Sequence, residues 1–164
     1  MELIRLRRDC REHERFRETV CRWYCEWWGA KAGCPREQIG ELVRNSQQEG
    51  SRLPQLYVAV DGGEALGVFM ISMSDDLVSR PDVYPWLANV YVDEALRGRG
   101  VGRFMLERVA GVMKEIGLPE LYLYTKHVGL YEKFGWTFVE NVNTYKADSP
   151  VEGLYRLTAD KEGK

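Results

Sequence analysis

Long apolar runs are missing from this sequence of 164 residues, and none approaches the roughly 20 residues that a membrane-spanning helix needs. The opening, MELIRLRRDCREHERF, is too charged for a signal peptide. We therefore expect a cytoplasmic protein without a membrane partner. An excess of one charge is absent too, since the formal net charge is -2 and acids are interleaved with the arginines of the opening. That mixture predicts a solvated helix face and no nucleic-acid partner.

Clustered metal ligands are also absent. The cysteines all lie near the start of the chain, where they form no CxxC pair, and the whole sequence has 2 histidines. Because no export signal is present, we expect reduced thiols and no metal site. The cysteines are Cys10, Cys21, Cys25 and Cys34.

Hydrophobic periodicity divides the chain into strands and helices, without internal repeats or an interdomain linker. The strand ELIRLR precedes a helix from about Asp9 to Trp28, which GAKAGCP should end, and a second helix from Pro35 to about Gln48. A hairpin with the turn DGGE, the apolar strand WLANVYV, a long helix and the strand ELYLYT follow. The short helix HVGLYEKFG and two strands complete the pattern. This order predicts one α/β domain, residues 1–164, with WLANVYV near the centre of a mixed sheet.

The stretch LRGRGVGRF places three glycines at alternate positions between a predicted strand and a predicted helix. The first amides of a helix have no internal partners, and their dipoles create partial positive charge. Glycines let an anion approach that backbone, and arginines can add charge-assisted hydrogen bonds. The stretch therefore predicts a diphosphate site, although a tight turn packed with glycines is the simpler alternative. The residues are Arg97, Gly98, Arg99, Gly100, Gly102 and Arg103.

Two common phosphate-binding patterns do not match this loop. A P-loop needs GxxxxGK followed by Ser or Thr, which the sequence lacks. The dinucleotide pattern GxGxxG, counted from Gly98, has Arg103 in its last place. It also requires an acid at the end of the next strand, where this chain has Thr125 and Lys126. A nicotinamide dinucleotide is therefore not favoured.

The spacing Arg97-x-x-Gly100-x-Gly102 resembles the acyl-CoA-binding motif R/Q-x-x-G-x-G/A of the GNAT superfamily of N-acyltransferases. Downstream, GLYEKFGW (residues 129–136) is similar to the LYEKxGF segment of that superfamily, with Trp136 for the usual Phe. The resemblance implies an α/β (α+β) domain with a central, mostly antiparallel mixed sheet flanked by helices. It also implies acetyl-CoA as cosubstrate and direct attack by an amine within a ternary complex.

The resemblance implies a cofactor-binding role for the strand before the loop and for the loop itself. The strand would splay from its neighbour, so that its backbone pairs with the pantetheine arm, much as a peptide adds to a sheet edge. A strand amide, of Val90 or Tyr91, would stabilise the oxyanion. The diphosphate would rest on the loop amides. The implied set is Val90, Tyr91, Val92, Arg97, Gly98, Arg99, Gly100, Val101, Gly102 and Arg103.

By the same resemblance, Tyr131 is the general acid that protonates the departing thiolate; the alternative is a packing tyrosine. The general base is harder to assign, because PWLAN lacks the strand glutamate that many relatives carry. His127 lies four residues before Tyr131, on the same helical face if the helix has begun by then, and imidazole suits proton transfer. A surface or capping histidine is the alternative. A water chain and three acids, Asp75, Asp76 and Asp82, stay open as bases.

Acceptor contacts should come from the variable first helices and from the loop before the central strand. Trp28, at the edge of the first helix's apolar stripe, could border a cleft. Asp76 and its acidic neighbours could attract a cationic amine, and Tyr84 and Trp86 could line its path; an ordinary solvated loop is the alternative. We expect a small-molecule amine or a peptide amine as acceptor, and exposed late strands make a homodimer plausible. A catalytically silent acyl-CoA-binding module is the alternative function.

Overall fold

The computed structural model describes residues 1–75, 77, 79–144 and 151–159. Seven strands form one sheet: β1 (Glu2–Arg5), β2 (Gln55–Asp61), β3 (Glu64–Ser72), β4 (Trp86–Val92), β5 (Glu120–Thr125), β6 (Thr137–Asn143) and β7 (Val151–Thr158). The α-helices are α1 (Glu14–Tyr24), α2 (Ala30–Ala32), α3 (Arg36–Asn45) and α4 (Val101–Ile116). Among the described residues, every helix is too short or too polar to span a lipid bilayer.

The strand order is β1-β2-β3-β4-β5-β7-β6, so β4 occupies the predicted central position. Strand β4 pairs with β5 in parallel, while β1 with β2, β2 with β3, β5 with β7 and β6 with β7 are antiparallel. The Gly62 and Gly63 φ angles of 55° and 81° supply the left-handed backbone that the predicted hairpin turn requires. The prediction of a mixed, mostly antiparallel sheet flanked by helices is confirmed.

The chain forms two compact units, each with its own buried side chains. The first comprises Met1–Ile71 and Asn89–Met105, and it buries the apolar stripe of α1 together with most of β2. The second comprises Ser72–Ala88 and Leu106–Lys164. Its core includes a cluster of Leu77, Val83, Trp86, Val142 and Leu154.

The end predicted for the first helix is wrong. The helix continues beyond Trp28 through a π-helical turn, Cys25–Gly29, and through α2, and it ends where Gly33 adopts a φ of 64°. Gly29 is a packing glycine within the helix, since a Cβ there would lie 2.4 Å from Ile39 Cδ1. The glycine that ends the helix is therefore the second one in GAKAGCP.

The second and last predicted helices are shorter than expected. Helix α3 ends at Asn45, before the predicted end near Gln48, and Gln47 forms a β-bridge with Gln55. The segment HVGLYEKFG is helical only over Tyr131–Phe134, as a 3-10 turn. Gly135, with a φ of 87°, ends that turn as predicted.

Candidate functional site

The glycine loop presents open backbone. Gly98 and Gly100 have φ angles of 79° and 81°, a conformation that favours glycine. A Cβ built on either residue would have no heavy atom within 4 Å, so the space in front of both is open. At these two glycines a ligand can therefore approach the backbone closely.

The amides of this loop are available to an anion. Phe104 N donates to the carbonyl oxygen of Gly100 at 2.9 Å, which begins the helical bonding of α4. Within the part of the chain that the structure describes, the amides from Gly98 to Gly102 donate no backbone hydrogen bond. These amides stand at the N-terminus of a 16-residue helix, where the helix dipole also favours negative charge. The loop therefore fits a diphosphate.

The last glycine of the motif has a different role. Gly102 lies inside α4, and a Cβ there would make an ordinary contact, 3.8 Å from Val92 Cγ2. Alanine fits at this position, whereas the left-handed Gly100 does not tolerate it without strain. The geometry explains why the family motif accepts Gly or Ala in its final place.

A backbone irregularity precedes the expected pantetheine-binding residues of β4. Asn89 adopts a φ of 51°, the only non-glycine residue described with a positive φ. Its carbonyl oxygen lies 3.5 Å from the Tyr24 hydroxyl, which donates to it. The described register between β4 and β5 consists of one pair, Trp86 with Tyr122. After Asn89, β4 has no described pair with β5. The backbone of residues 90–92 therefore fits an added extended ligand.

Two side chains, those of Asp93 and Arg97, hold the β4 end and the loop in place. Asp93 accepts hydrogen bonds from Trp23 Nε1 and from the Ala95 amide, both at 3.0 Å. Arg97 Nε donates to the carbonyl oxygen of Val92 at 3.2 Å, and its guanidinium lies 5.6 Å from the Tyr91 ring centroid. Arg97 therefore braces the strand end in addition to bringing charge to the loop.

An aromatic cluster from α1 and its π-helical extension packs beside the same strand. The Tyr91 ring centroid lies 5.4 Å from that of Trp23 and 5.3 Å from that of Trp27. Trp28, predicted to contact the acceptor, packs on Tyr24 at 5.8 Å. Its indole nitrogen is buried and has no hydrogen-bond partner among the described residues. Trp28 thus packs against the tyrosine whose hydroxyl donates to Asn89, and its contact with an acceptor stays a prediction.

Tyr131 opens the 3-10 turn of the second unit and is 8% exposed. Its ring meets Trp136 edge-on, with centroids 6.0 Å apart, and the Tyr155 ring lies 6.3 Å away. Burial raises the pKa of the Tyr131 hydroxyl above its usual value, so this group keeps its proton at neutral pH. Its hydroxyl makes no hydrogen bond to a described residue, which leaves the proton available for donation.

The neighbouring Glu132 attaches the 3-10 turn to the sheet. Its carboxylate accepts a hydrogen bond of 2.9 Å from the Tyr155 hydroxyl of β7. Tyr155 also packs against Phe138 of β6, with ring centroids 5.6 Å apart. These contacts fix the turn that carries Tyr131.

The shared helical face predicted for His127 and Tyr131 is wrong, because the 3-10 turn begins only at Tyr131. His127 is exposed, and its backbone amide donates to Thr125 Oγ1 at 3.1 Å. With Thr125, Glu132 and Tyr155 it lines a cavity of about 340 Å³ in the second unit. The histidine therefore stands at a surface cavity, and its catalytic role stays a hypothesis.

The residues predicted to contact the acceptor from the loop before β4 have different surroundings. Tyr84 is 51% exposed and available. Trp86 is 2% exposed and packs in the core cluster of the second unit, so its expected acceptor contact is corrected to a structural role. Asp76 lies outside the described residues. Of its neighbours, Asp75 accepts a hydrogen bond from the Tyr124 hydroxyl at 3.3 Å.

Asp82 is unsuited to the role of general base. Its carboxylate forms an ion pair of 3.0 Å with Arg80, which lowers the pKa of Asp82. A base needs a pKa nearer the working pH. Arg80 also pairs with Glu140, so these charges tie the loop to β6.

A family model for the acetyltransferase (GNAT) family matches residues 17–136. The chain belongs to the GNAT family of acetyltransferases. This family uses acetyl-CoA as its cosubstrate. The matched range includes both the glycine loop and Tyr131, so the motif resemblance is confirmed at the level of the family. No curated protein shows a significant sequence match.

Solved structures share the fold at low sequence identity. An aminoglycoside 6'-N-acetyltransferase in complex with coenzyme A aligns with a TM-score of 0.73 and 14% identity, over 100% of each chain. The aminoglycoside 6'-N-acetyltransferase from Enterococcus faecium gives 0.72 and 13%, also over 100% of each chain. Tetrahymena GCN5 gives 0.66 and 15%, over 98% of this GNAT chain and 97% of its own. These likenesses establish the fold.

Several residues that shape this GNAT site were missed by sequence analysis. Asn89 is one, although asparagine within an apolar strand is a signal, since it adopts left-handed backbone more readily than its neighbours. Asp93 follows the strand directly and is a typical cap for the 3-10 turn Glu94–Leu96. The contact between Glu132 and Tyr155 joins positions 23 residues apart and has no local sequence signal.

Proposed function

We propose that this GNAT protein is a cytoplasmic N-acetyltransferase that moves an acetyl group from acetyl-CoA to a small cationic amine by direct attack in a ternary complex. The observation that carries the proposal is the glycine loop: among the described residues its amides from Gly98 to Gly102 donate no backbone hydrogen bond, and the space beside Gly98 and Gly100 is open. Such a loop at a helix N-terminus suits the diphosphate of acetyl-CoA.

Each part of acetyl-CoA has a matching element in the first unit. The loop amides, with Arg97, Arg99 and Arg103 around them, would hold the diphosphate. The backbone of Val90–Val92 would pair with the amide groups of the pantetheine arm. The amide of Val90 or Tyr91 would stabilise the oxyanion. Bound in this way, acetyl-CoA supplies an activated thioester carbonyl.

Tyr131 is proposed as the general acid. Expulsion of the thiolate leaves negative charge on sulfur, and a hydroxyl that keeps its proton at neutral pH can donate to it. The raised pKa of Tyr131 makes this hydroxyl a weaker acid than a free tyrosine. Its contribution is therefore largest as the carbon–sulfur bond breaks and the sulfur becomes most basic.

The acceptor amine must lose protons during the reaction, and we propose two routes for them. One is a water chain to solvent, which agrees with the absence of a carboxylate in PWLAN. The other uses His127, which is exposed at its cavity. A His127→Gln variant separates them: unchanged kcat and an unchanged acidic limb of the pH profile would favour water, while a displaced limb would favour the imidazole.

The proposed acceptor is a small cation with more than one amine. Two of the solved structures above are aminoglycoside acetyltransferases, which gives this class as the first to test. In this chain, Asp75 and the exposed Tyr84 precede β4 and could receive such an amine. An amino acid or a peptide α-amine is the competing class.

The test measures thiol release from acetyl-CoA with an aminoglycoside, spermidine, lysine and a peptide bearing a free α-amine. The proposal expects acceptor-dependent release with at least one amine, and the largest kcat/KM with a polycation. Tight binding of CoA without acceptor-dependent release would instead support a silent acyl-CoA-binding module, which the missing strand carboxylate favours. A protein that does not bind CoA and releases no thiol would contradict both functions.

We also propose that two copies associate through the edge strand β6. Phe138 and Val139 are neighbours there with 47% and 42% of their side chains exposed. Val139 lies at a bulge in the pairing of β6 with β7, and with Phe138 it gives this edge strand exposed apolar surface. Sedimentation analysis of wild type and a Phe138→Ser variant tests this proposal: a dimer that the substitution weakens would support it, and a wild-type monomer would contradict it.

A further inference from the structure

A groove outside the proposed acetyl-CoA site runs between helices α1 and α3 of the first unit. It encloses a cavity of about 510 Å³. Its walls are one stripe of α1, one stripe of α3 and Arg8 from the loop after β1. None of the residues that line it belongs to the glycine loop or to β4.

Four arginines line this groove, and two of them are engaged by the protein. The buried Arg17 guanidinium donates to two carbonyl oxygens, at 2.7 and 3.1 Å, and forms an ion pair of 2.6 Å with Glu14. Arg8 donates to the carbonyl oxygen of Arg44 at 3.3 Å and to Asn45 Oδ1 at 3.2 Å. Arg17 thus ties α1 to the loop after β1, and Arg8 ties that loop to the end of α3.

The other two guanidiniums, those of Arg36 and Arg44, form no hydrogen bond or ion pair with a described residue. They lie eight residues apart on α3, with Gly40 midway between them. Arg44 folds over that glycine, since its Nη1 is 3.3 Å from the position that a Gly40 Cβ would occupy. Both arginines act to lower the pKa of the Cys21 thiol, against the larger effect of burial, which raises it. Arg36, Arg44 and Cys21 therefore line the same groove, and the thiol senses the charge of both arginines.

Two arginines that line one groove without a carboxylate partner match an oxyanion, because guanidinium groups bind carboxylate and phosphate with paired hydrogen bonds. The exposed carboxylates of Glu18 and Glu37 also line the groove and form no ion pair with a described residue. They would repel an extended polyanion. The charge pattern therefore selects a small anion.

We propose that the groove between α1 and α3 is a second ligand site, which binds a small carboxylate- or phosphate-bearing anion between Arg36 and Arg44. The missing side chain at Gly40 leaves room for the Arg44 guanidinium to lie over α3 at the groove. Cys21 Sγ lies next to the bound anion, so its accessibility reports occupancy.

The experiment follows alkylation of Cys21 by iodoacetamide, a neutral reagent, with peptide mass spectrometry. Malonate or inorganic phosphate is compared with sodium chloride at equal ionic strength, and the half-buried Cys34 provides an internal reference. At a concentration about ten times the dissociation constant, occupancy should slow the labelling of Cys21 about tenfold. Labelling of Cys34 should be unchanged. Protection by malonate alone identifies a carboxylate site, and protection by phosphate alone a phosphate site.

The double variant Arg36→Gln/Arg44→Gln should abolish the protection. Arg22→Gln is the matched control, because Arg22 is exposed on α1 and does not line the groove. Amide chemical shifts of Gly40 during the same titrations give a readout that needs no thiol chemistry. Equal Cys21 labelling in all salts with an unmoved Gly40 amide would overturn the proposal. So would protection that persists in the double variant.

Discussion

The glycine loop and the 3-10 turn, the two regions with proposed functional roles, are built from different chemical groups. The glycine loop of the first unit offers backbone amides, and its glycines matter because they remove obstacles and permit a left-handed φ. The 3-10 turn of the second unit offers one hydroxyl, Tyr131, held by packing and by the hydrogen bond between Tyr155 and Glu132. The loop depends on local backbone conformation, whereas the turn depends on side chains distant in sequence.

This difference means that substitutions in the two regions should affect different kinetic constants. A change in the loop should weaken acetyl-CoA binding, while loss of the Tyr131 hydroxyl should slow the chemical step. If substitutions in the loop and in the turn each changed the KM for acetyl-CoA and kcat to the same extent, the distinction would be lost.

The largest effect is expected from Tyr131→Phe, which removes the proposed acid and retains the ring. We expect kcat to fall about 100-fold, with the KM for acetyl-CoA within about twofold of wild type. Steady-state kinetics with the best acceptor measures both.

An acid must be protonated to act, so its contribution is lost as pH rises through its pKa, which burial raises. Any tyrosine-dependent decline in kcat should thus lie above about pH 10 and vanish in the variant. Undiminished turnover would contradict the role.

The next effect concerns Gly67 of β3, where an added Cβ would meet backbone of the neighbouring strand. A Cβ at Gly67 would lie 2.8 Å from the carbonyl oxygen of Tyr91, so the Gly67→Ala variant must displace β4 backbone. We expect the free energy of unfolding to fall by about 2 kcal/mol and the KM for acetyl-CoA to rise. Chemical denaturation and kinetics measure these changes. The control is Gly111→Ala in α4, where nothing lies within 4 Å of an added Cβ and stability should increase. Equal stability of the Gly67→Ala variant and wild type would contradict the close approach.

The smallest effect is expected from Tyr155→Phe, which removes the hydrogen bond to Glu132. The net loss of stability should be about 1 kcal/mol. Because Tyr131 then rests on a less constrained turn, kcat should fall by a factor of about five or less. Glu132→Gln keeps an oxygen acceptor for Tyr155 and should cost less than Tyr155→Phe in both measurements. A larger kcat loss than in Tyr131→Phe would show that Tyr155 itself takes part in the chemistry.

The sequence predicted most of the fold because strands and helices here carry strong periodicity. The loop motif was also predictable, since its glycines act through local backbone conformation. The helix ends were not, because GAKAGCP contains a packing glycine, Gly29, and a terminating glycine, Gly33, and only the position of Ile39 distinguishes them.

Side-chain environments were the least predictable part of the site. Trp86 and Tyr84 are two residues apart and looked alike as acceptor contacts, yet one is 2% and the other 51% exposed. Their difference follows from the core cluster, which joins Trp86 to β7 through Leu154. Asp82 pairs with Arg80 only two residues away, but the same arginine also pairs with Glu140, a long-range contact that has no local sequence signal.

The central claim is that backbone amides of the glycine loop bind the diphosphate of acetyl-CoA. Calorimetric titration of Gly100→Ala and Gly62→Ala tests it most directly, because both glycines have positive φ and open space at Cβ, but only Gly100 lies in the loop. For CoA, we predict at least about a tenfold loss of affinity in Gly100→Ala and no loss in Gly62→Ala. Pantetheine lacks the diphosphate, so both variants should bind it with wild-type affinity. Unchanged CoA affinity in Gly100→Ala, or an equal loss for pantetheine, would contradict the claim.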